Sequence, residues 1–146
     1  EYRKYRRNYR NHKYKTNVQF NLSTKMSGYI RDALNGEKAG RHWEVFVGYT
    51  ILDLKDHIKS LFTEGMTWEK VLNGQIHLDH ILPVKLFAYN SSEEMQFKAC
   101  WALKNLQPLW ETDNIKKGDL LPDGRRATFL TKEEKLEYLR SLGYSF

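Results

Sequence analysis

The sequence predicts an α+β domain that is mostly helical, on three observations. Apolar residues recur at helical spacing in several segments, while only two short stretches have the look of strands. Two Thr-x-x-acid signatures, Thr50-Ile51-Leu52-Asp53 and Thr131-Lys132-Glu133-Glu134, mark helix starts. The chain has 146 residues, 40% of them hydrophobic, which suits one domain with a modest core. No apolar run approaches the ~20 residues of a membrane span, and mean hydropathy is −0.71.

Tyr2, Tyr5, Tyr9 and His12 form one stripe of an N-terminal helix, expected to dock that helix on the body, with basic side chains on the remaining surface. Residues 20–35 read as a second helix with Leu22, Met26, Ile30, Ala33 and Leu34 inward, and Gly36 suits its stop. Residues 36–42 read as a loop, and His42 to Val47 is apolar but of undecided type. The helix opened by Thr50 buries Leu54, Ile58, Leu61 and Phe62, with His57 packed beside them. Gly65 to Trp68 begins a short turn or helix that ends at the turn signal Asn73-Gly74. Ile76 to Ile81 alternates as a strand ended by Pro83. Ser92 can cap a long helix over Glu93 to Leu103, with Met95, Phe97, Cys100, Trp101 and Leu103 as its apolar positions. Leu106 to Leu109 is a second extended piece. Thr112 or Asp113 caps a short helix through Lys117, and the Thr131 capping box opens a last helix to Leu142, closed by Gly143.

Net charge is +6, and its distribution says more than its total. Residues 1–25 carry eight basic residues against Glu1 alone, a net of +7, while the rest carries 16 basic and 17 acidic residues. A basic arm on a near-neutral body fits a polyanion, with nucleic acid first. The candidate contacts are Arg3, Lys4, Arg6, Arg7, Arg10, Lys13 and Lys15. A membrane surface fits less well, because the arm lacks a broad apolar face. No signal peptide is visible, and the start at Glu1 rather than Met is compatible with a fragment. The single cysteine, Cys100, excludes a disulfide or a multi-cysteine zinc site within this chain and reads as a small buried hydrophobe.

The residues that carry chemistry are Asp79-His80, set in Ile76-His77-Leu78-Asp79-His80-Ile81-Leu82-Pro83, then Asn105-Leu106-Gln107-Pro108-Leu109, then Asn114 and Lys117. A carboxylate and a neighbouring imidazole can divide one task, one holding a metal and the other moving a proton. Taken singly, each has an ordinary explanation: Asp79 caps a turn, His80 packs, the asparagines satisfy loop backbone. The ordered set is specific. It resembles the HNH nuclease family, whose core is the ββα-metal (His-Me) finger, over Ile76 to Lys117. Gly48-Tyr49-Thr50, Phe62 with Gly65-Met66-Thr67-Trp68, and Cys100-Trp101 are similar to small phage and bacterial HNH endonucleases.

The resemblance implies a ββα-metal core at 76–119 carrying a long insertion helix, a basic DNA-gripping helical region at 1–75, and a C-terminal helix at 120–146. It implies metal-dependent hydrolysis of DNA phosphodiesters, leaving a 3′ hydroxyl and a 5′ phosphate. Asp79 and Asn114 would hold one divalent cation, His80 would be the general base, and Asn105 would pin the loop that orients it. Asn114 stands where the family has His or Asn, so the chain is an H-N-N variant, and its all-oxygen ligand set favours Mg²⁺ or Mn²⁺. His77 and Lys117 are candidate phosphate contacts. Many members carry CxxC pairs, but Trp110 and Asp113 occupy that spacing here, so no structural zinc is expected. Adjacent side chains on a regular strand face opposite ways, so the motif predicts a bend at Asp79 and His80. A cytoplasmic setting, in a bacterium or a phage-infected host, follows by the same analogy. RNA remains open as a substrate, as does the oligomeric state. The alternatives are a delivered nuclease toxin domain and a non-catalytic DNA-binding module.

Overall fold

The computed structural model describes residues 1–36 and 41–146; the expected 36–42 loop lies largely outside them. The fold is α+β and mostly helical. Helices α1 (Tyr2–Thr16), α2 (Val18–Leu34), α3 (Trp43–Val47), α4 (Ile51–Ser60) and α5 (Trp68–Leu72) precede strand β1 (Ile76–His80). Then come α6 (Met95–Cys100), β2 (Leu106–Trp110), α7 (Glu111–Lys117) and α8 (Lys132–Ser141). β1 and β2 form a two-stranded antiparallel sheet in which Asp79 lies opposite Gln107 and His80 opposite Leu106.

Local chemistry explains most boundaries. Both Thr-x-x-acid signatures form reciprocal capping boxes, Thr50 with Asp53 and Thr131 with Glu134. Asn17 breaks the first helix from the second: its backbone is extended, and its side chain accepts from the Phe20 amide at 2.8 Å. Gly48 ends α3 at φ +77°, a left-handed conformation that favours glycine. One cluster of buried residues, from Met26, Trp43 and Leu54 through Leu86, Phe97 and Leu106 to Leu139, spans all three stretches of chain. Cys100 is fully buried in it, and burial pushes its thiol pKa well up, so it has no thiolate character.

Several expectations are corrected. Leu61 is exposed rather than buried, and α7 begins at Glu111 with no side-chain cap from Thr112 or Asp113. The long helix over Glu93 to Leu103 is only Met95–Cys100. Ser92 does not cap it; instead the Glu94 carboxylate accepts from the amides of Asn90 and Ser91 and holds the preceding loop. At the other end Trp101 is pinned, its indole donating to the Tyr89 hydroxyl at 3.2 Å and its carbonyl accepting from Tyr49 at 2.6 Å, and the chain leaves the helix there. Met95 is consequently 60% exposed rather than inward. Next, the tyrosine stripe does not dock α1. Tyr2, Tyr5 and Tyr9 are exposed and α1 buries no residue; it meets the body where Tyr14 packs half-buried and its carbonyl accepts from Asn21 at 3.2 Å. Finally, β1 runs straight through Asp79 and His80, and the bend falls one step later, at Ile81 and Leu82.

Candidate functional site

The bend has a definite cause. The Ile81 amide donates to the Asn105 carbonyl, and the Leu82 amide donates to Asn105 Oδ1, both at 2.8 Å. Asn105 Nδ2 in turn donates to the carbonyls of Leu82 at 3.1 Å and Cys100 at 2.8 Å. Asn105 is 3% exposed, so these contacts satisfy its carboxamide where water cannot. It clamps the turn that follows His80 and makes no hydrogen bond to the imidazole itself.

Because β1 stays regular, its side chains alternate. His77 and Asp79 face α7, and His80 faces the opposite way. α7 starts directly after β2, with Glu111 tied to Gln75 by a backbone bond of 2.9 Å, which lays the helix against β1. Asn114 and Lys117 lie three residues apart and share a face of it. The Asn114 carboxamide is hydrogen-bonded to His77 Nδ1 at 2.9 Å. The Lys117 ammonium reaches both oxygens of Asp79, at 3.2 Å to Oδ1 and 3.1 Å to Oδ2, and donates to the His80 carbonyl at 2.8 Å. Gln107, directly across the ladder, donates to Asp79 Oδ2 at 3.0 Å. Asp79 is thereby buried with a complete set of partners.

This arrangement bears on a metal. Among the described residues no group of three or more His, Cys, Asp or Glu side chains could hold an ion, so a carboxylate-rich cluster is not built there. What is built is smaller: two carboxylate oxygens and a backbone carbonyl surround one cationic nitrogen, the Lys117 ammonium. These are hard oxygen donors of the kind Mg²⁺ takes in small number while keeping water. The ammonium stands in for positive charge at Asp79, and the Asn114 carboxamide lies on the same face. The chemistry of the Asp79 donors suits one hard divalent cation only on condition that Lys117 gives up the carboxylate.

On the other face His80 packs T-shaped against Trp101, with ring centroids 4.4 Å apart and planes at 88°. Tyr49 and Tyr89, which hold Trp101, therefore also set the wall beside the imidazole. His80 Nε2 is enclosed and has no hydrogen-bond partner among the described residues. Burial, and secondarily the charge of Lys117, lower its pKa to about 4, so the ring is neutral near pH 7. A cavity of about 550 Å³ is lined by His80, His77 and Asn114 together with Ser27 and Arg31 of α2. It thus brings three of the expected site residues together, while Asp79, Lys117 and Asn105 lie off it.

Of the arm residues, Arg3, Arg6, Arg7 and Arg10 line a groove of about 490 Å³ between α1 and α2. Lys13 lies over the Phe20 ring at 4.8 Å and lines a second groove of about 640 Å³. Lys4 and Lys15 line neither. The second groove also holds Lys85, Lys132 and Lys135; Lys85 lies far along the chain from the α8 pair Lys132 and Lys135, so no local sequence pattern joins the three. Gln107 is a further residue absent from the sequence-based set, although its place in the Asn-Leu-Gln-Pro-Leu run opposite Asp79 is a usable signal.

No family model and no solved structure matches the chain. It is similar to an uncharacterized protein of Acanthamoeba polyphaga mimivirus, 28% identical over 112 residues, which is 76% of this chain and 48% of that protein. The chain spans about half the length of this curated relative. No helix among the described residues is long and apolar enough to cross a membrane.

Proposed function

We propose that the chain is an HNH-type, metal-dependent DNA endonuclease, built on a ββα-metal core and cutting one strand at each event. The observation that carries this reading is the unit formed by β1, β2 and α7. It puts Asp79, Asn114 and Lys117 on one face, leaves His80 Nε2 without a partner among the described residues, and clamps the following turn with Asn105. When bound, a Mg²⁺ or Mn²⁺ ion held by Asp79 and Asn114 supplies charge neutralisation at the phosphate and the leaving oxygen. His80 is the group that accepts the proton of the attacking water. Its low pKa keeps it unprotonated across the neutral range, with some loss of basicity. His77 and Asn114 line the cavity where a phosphate can be held, and the α1 arginines run along the backbone of the duplex.

The test is a plasmid-nicking assay with Mg²⁺ or Mn²⁺. Activity should vanish with EDTA and fall by about 10²- to 10⁴-fold in His80→Ala, the usual worth of a general base. Full activity in His80→Ala, in a variant that melts like the parent, would overturn the mechanism. One observation favours a non-catalytic DNA-binding module instead: Asp79 already has a cation of its own in Lys117. Absence of any divalent-ion binding at Asp79 would decide for that module.

A further inference from the structure

We propose that Lys117 is a latch on the cation position, holding Asp79 closed in the free protein and moving to a phosphate oxygen when nucleic acid binds. Cation and nucleic acid then load together. The inference rests on the endonuclease reading and adds to it the order in which the site is assembled.

The Asp79 carboxylate is already occupied. Lys117 bridges both of its oxygens, and Gln107 takes a further position on Oδ2. An ion coordinating either oxygen would sit beside an ammonium about 3 Å from the same atoms, where like charges repel strongly in a half-enclosed site. Lys117 and a divalent cation therefore compete for Asp79. The competitor is also able to leave. Lys117 is the last residue of α7, followed by Gly118, and its side chain is 18% exposed while that of Asp79 is 8% exposed. A four-carbon stem at a helix end can swing toward solvent without unwinding the helix, carrying a point charge suited to phosphate. Asn114, one turn back on the same face, already borders the cavity. A phosphodiester entering there offers the ammonium a new anion and returns Asp79 to the cation. By linkage, whatever factor nucleic acid adds to cation affinity, the cation adds to nucleic-acid affinity.

Lys117→Met removes the charge and keeps the stem. In the free protein, Mn²⁺ titrations followed by electron paramagnetic resonance should show at least tenfold tighter binding in Lys117→Met than in the parent. Lys117→Arg, which keeps the charge, should show no gain. Adding Asp79→Asn to Lys117→Met should abolish the gain, locating the ion. In a His80→Ala background, which spares the substrate, a 20-base-pair duplex should tighten Mn²⁺ binding by tenfold or more after subtraction of ions held by the duplex alone. That coupling should disappear with Lys117→Met. Thermal melts of each variant separate these effects from misfolding, with Lys117→Arg as the folded reference. Unchanged or weaker Mn²⁺ affinity in Lys117→Met, or coupling that survives it, overturns the latch. Where the parent nonetheless nicks DNA and His80→Ala does not, the latch falls alone and the endonuclease reading stands.

Discussion

The Asn105 clamp makes a prediction whose sign depends on hydrogen-bond direction rather than size. Asn105 accepts from the Leu82 amide and donates to the carbonyls of Leu82 and Cys100, and the reverse orientation of its carboxamide would satisfy none of the three. Asn105→Ala deletes three bonds worth about 1 kcal/mol each and strands buried backbone groups at a further 1–3 kcal/mol. A total loss of about 4–6 kcal/mol follows, large against the 5–15 kcal/mol roughly expected of a domain. With a urea m-value of about 2 kcal/mol/M, the unfolding midpoint drops by roughly 2–3 M. Asn105→Asp is nearly the same shape, but it points an ionised oxygen at two carbonyls, so it should be at least as damaging at pH 7. Its folded-state carboxyl pKa is then raised above the unfolded value. The variant's deficit relative to the parent should shrink as pH falls through that raised pKa, because the protonated acid regains a donor. Urea unfolding followed by tryptophan fluorescence at pH 7 and pH 5 reads both effects. An Asn105→Asp variant as stable as the parent at pH 7 would refute the assigned directions and the clamp with them.

Neutralising Arg3, Arg6, Arg7 and Arg10 together should leave thermal stability nearly unchanged, since α1 buries nothing. It should flatten the slope of log K for duplex DNA against log salt by up to about 0.9 for each phosphate that is no longer neutralised; an unchanged slope removes the arm from the interface. Replacing Lys85, Lys132 and Lys135 by alanine tests whether the second groove continues that track: weaker binding with a shallower slope is expected, and equal binding rejects it. In EDTA, the lowered His80 pKa should appear in the stability of the protein. The unfolded imidazole protonates near pH 6.5 and the folded one only near 4, so stability is full above 6.5 and falls as pH drops between the two, by at most about 3 kcal/mol. Melts in His80→Gln should lack that component, and an identical pH profile would show that the ring is not held neutral by burial.

Elements with their own local signals are legible in the sequence. The two capping boxes, the Asn73-Gly74 turn and the inward positions of Met26, Ile30, Leu54 and Ile58 all rest on chemistry within a few residues, and the structure keeps them. What the sequence misplaces depends on partners remote along the chain. Periodicity alone extends the 93–103 helix through Trp101, but Tyr49 and Tyr89 take that residue's polar groups and end the helix early. Tyrosine spacing alone docks α1, but Tyr2, Tyr5 and Tyr9 are exposed. The lysines that gather at the second groove come from three separate segments and share no pattern.

The bend expected at Asp79-His80 is the most instructive of these. A carboxylate and an imidazole on adjacent strand residues face apart, and a bend follows only if one ligand needs both on one side. A two-stranded sheet weakens that premise. Among the described residues β1 pairs with β2 alone, and one cavity is lined both by His80 from one face of β1 and by His77 and its partner Asn114 from the other. A ligand in that cavity can be reached from both faces of an unbent strand. Asp79 does not line the cavity, being covered by Lys117 and Gln107. The regular strand turns base and carboxylate to opposite faces, and the resting place of a single lysine side chain adds to that separation by covering the carboxylate.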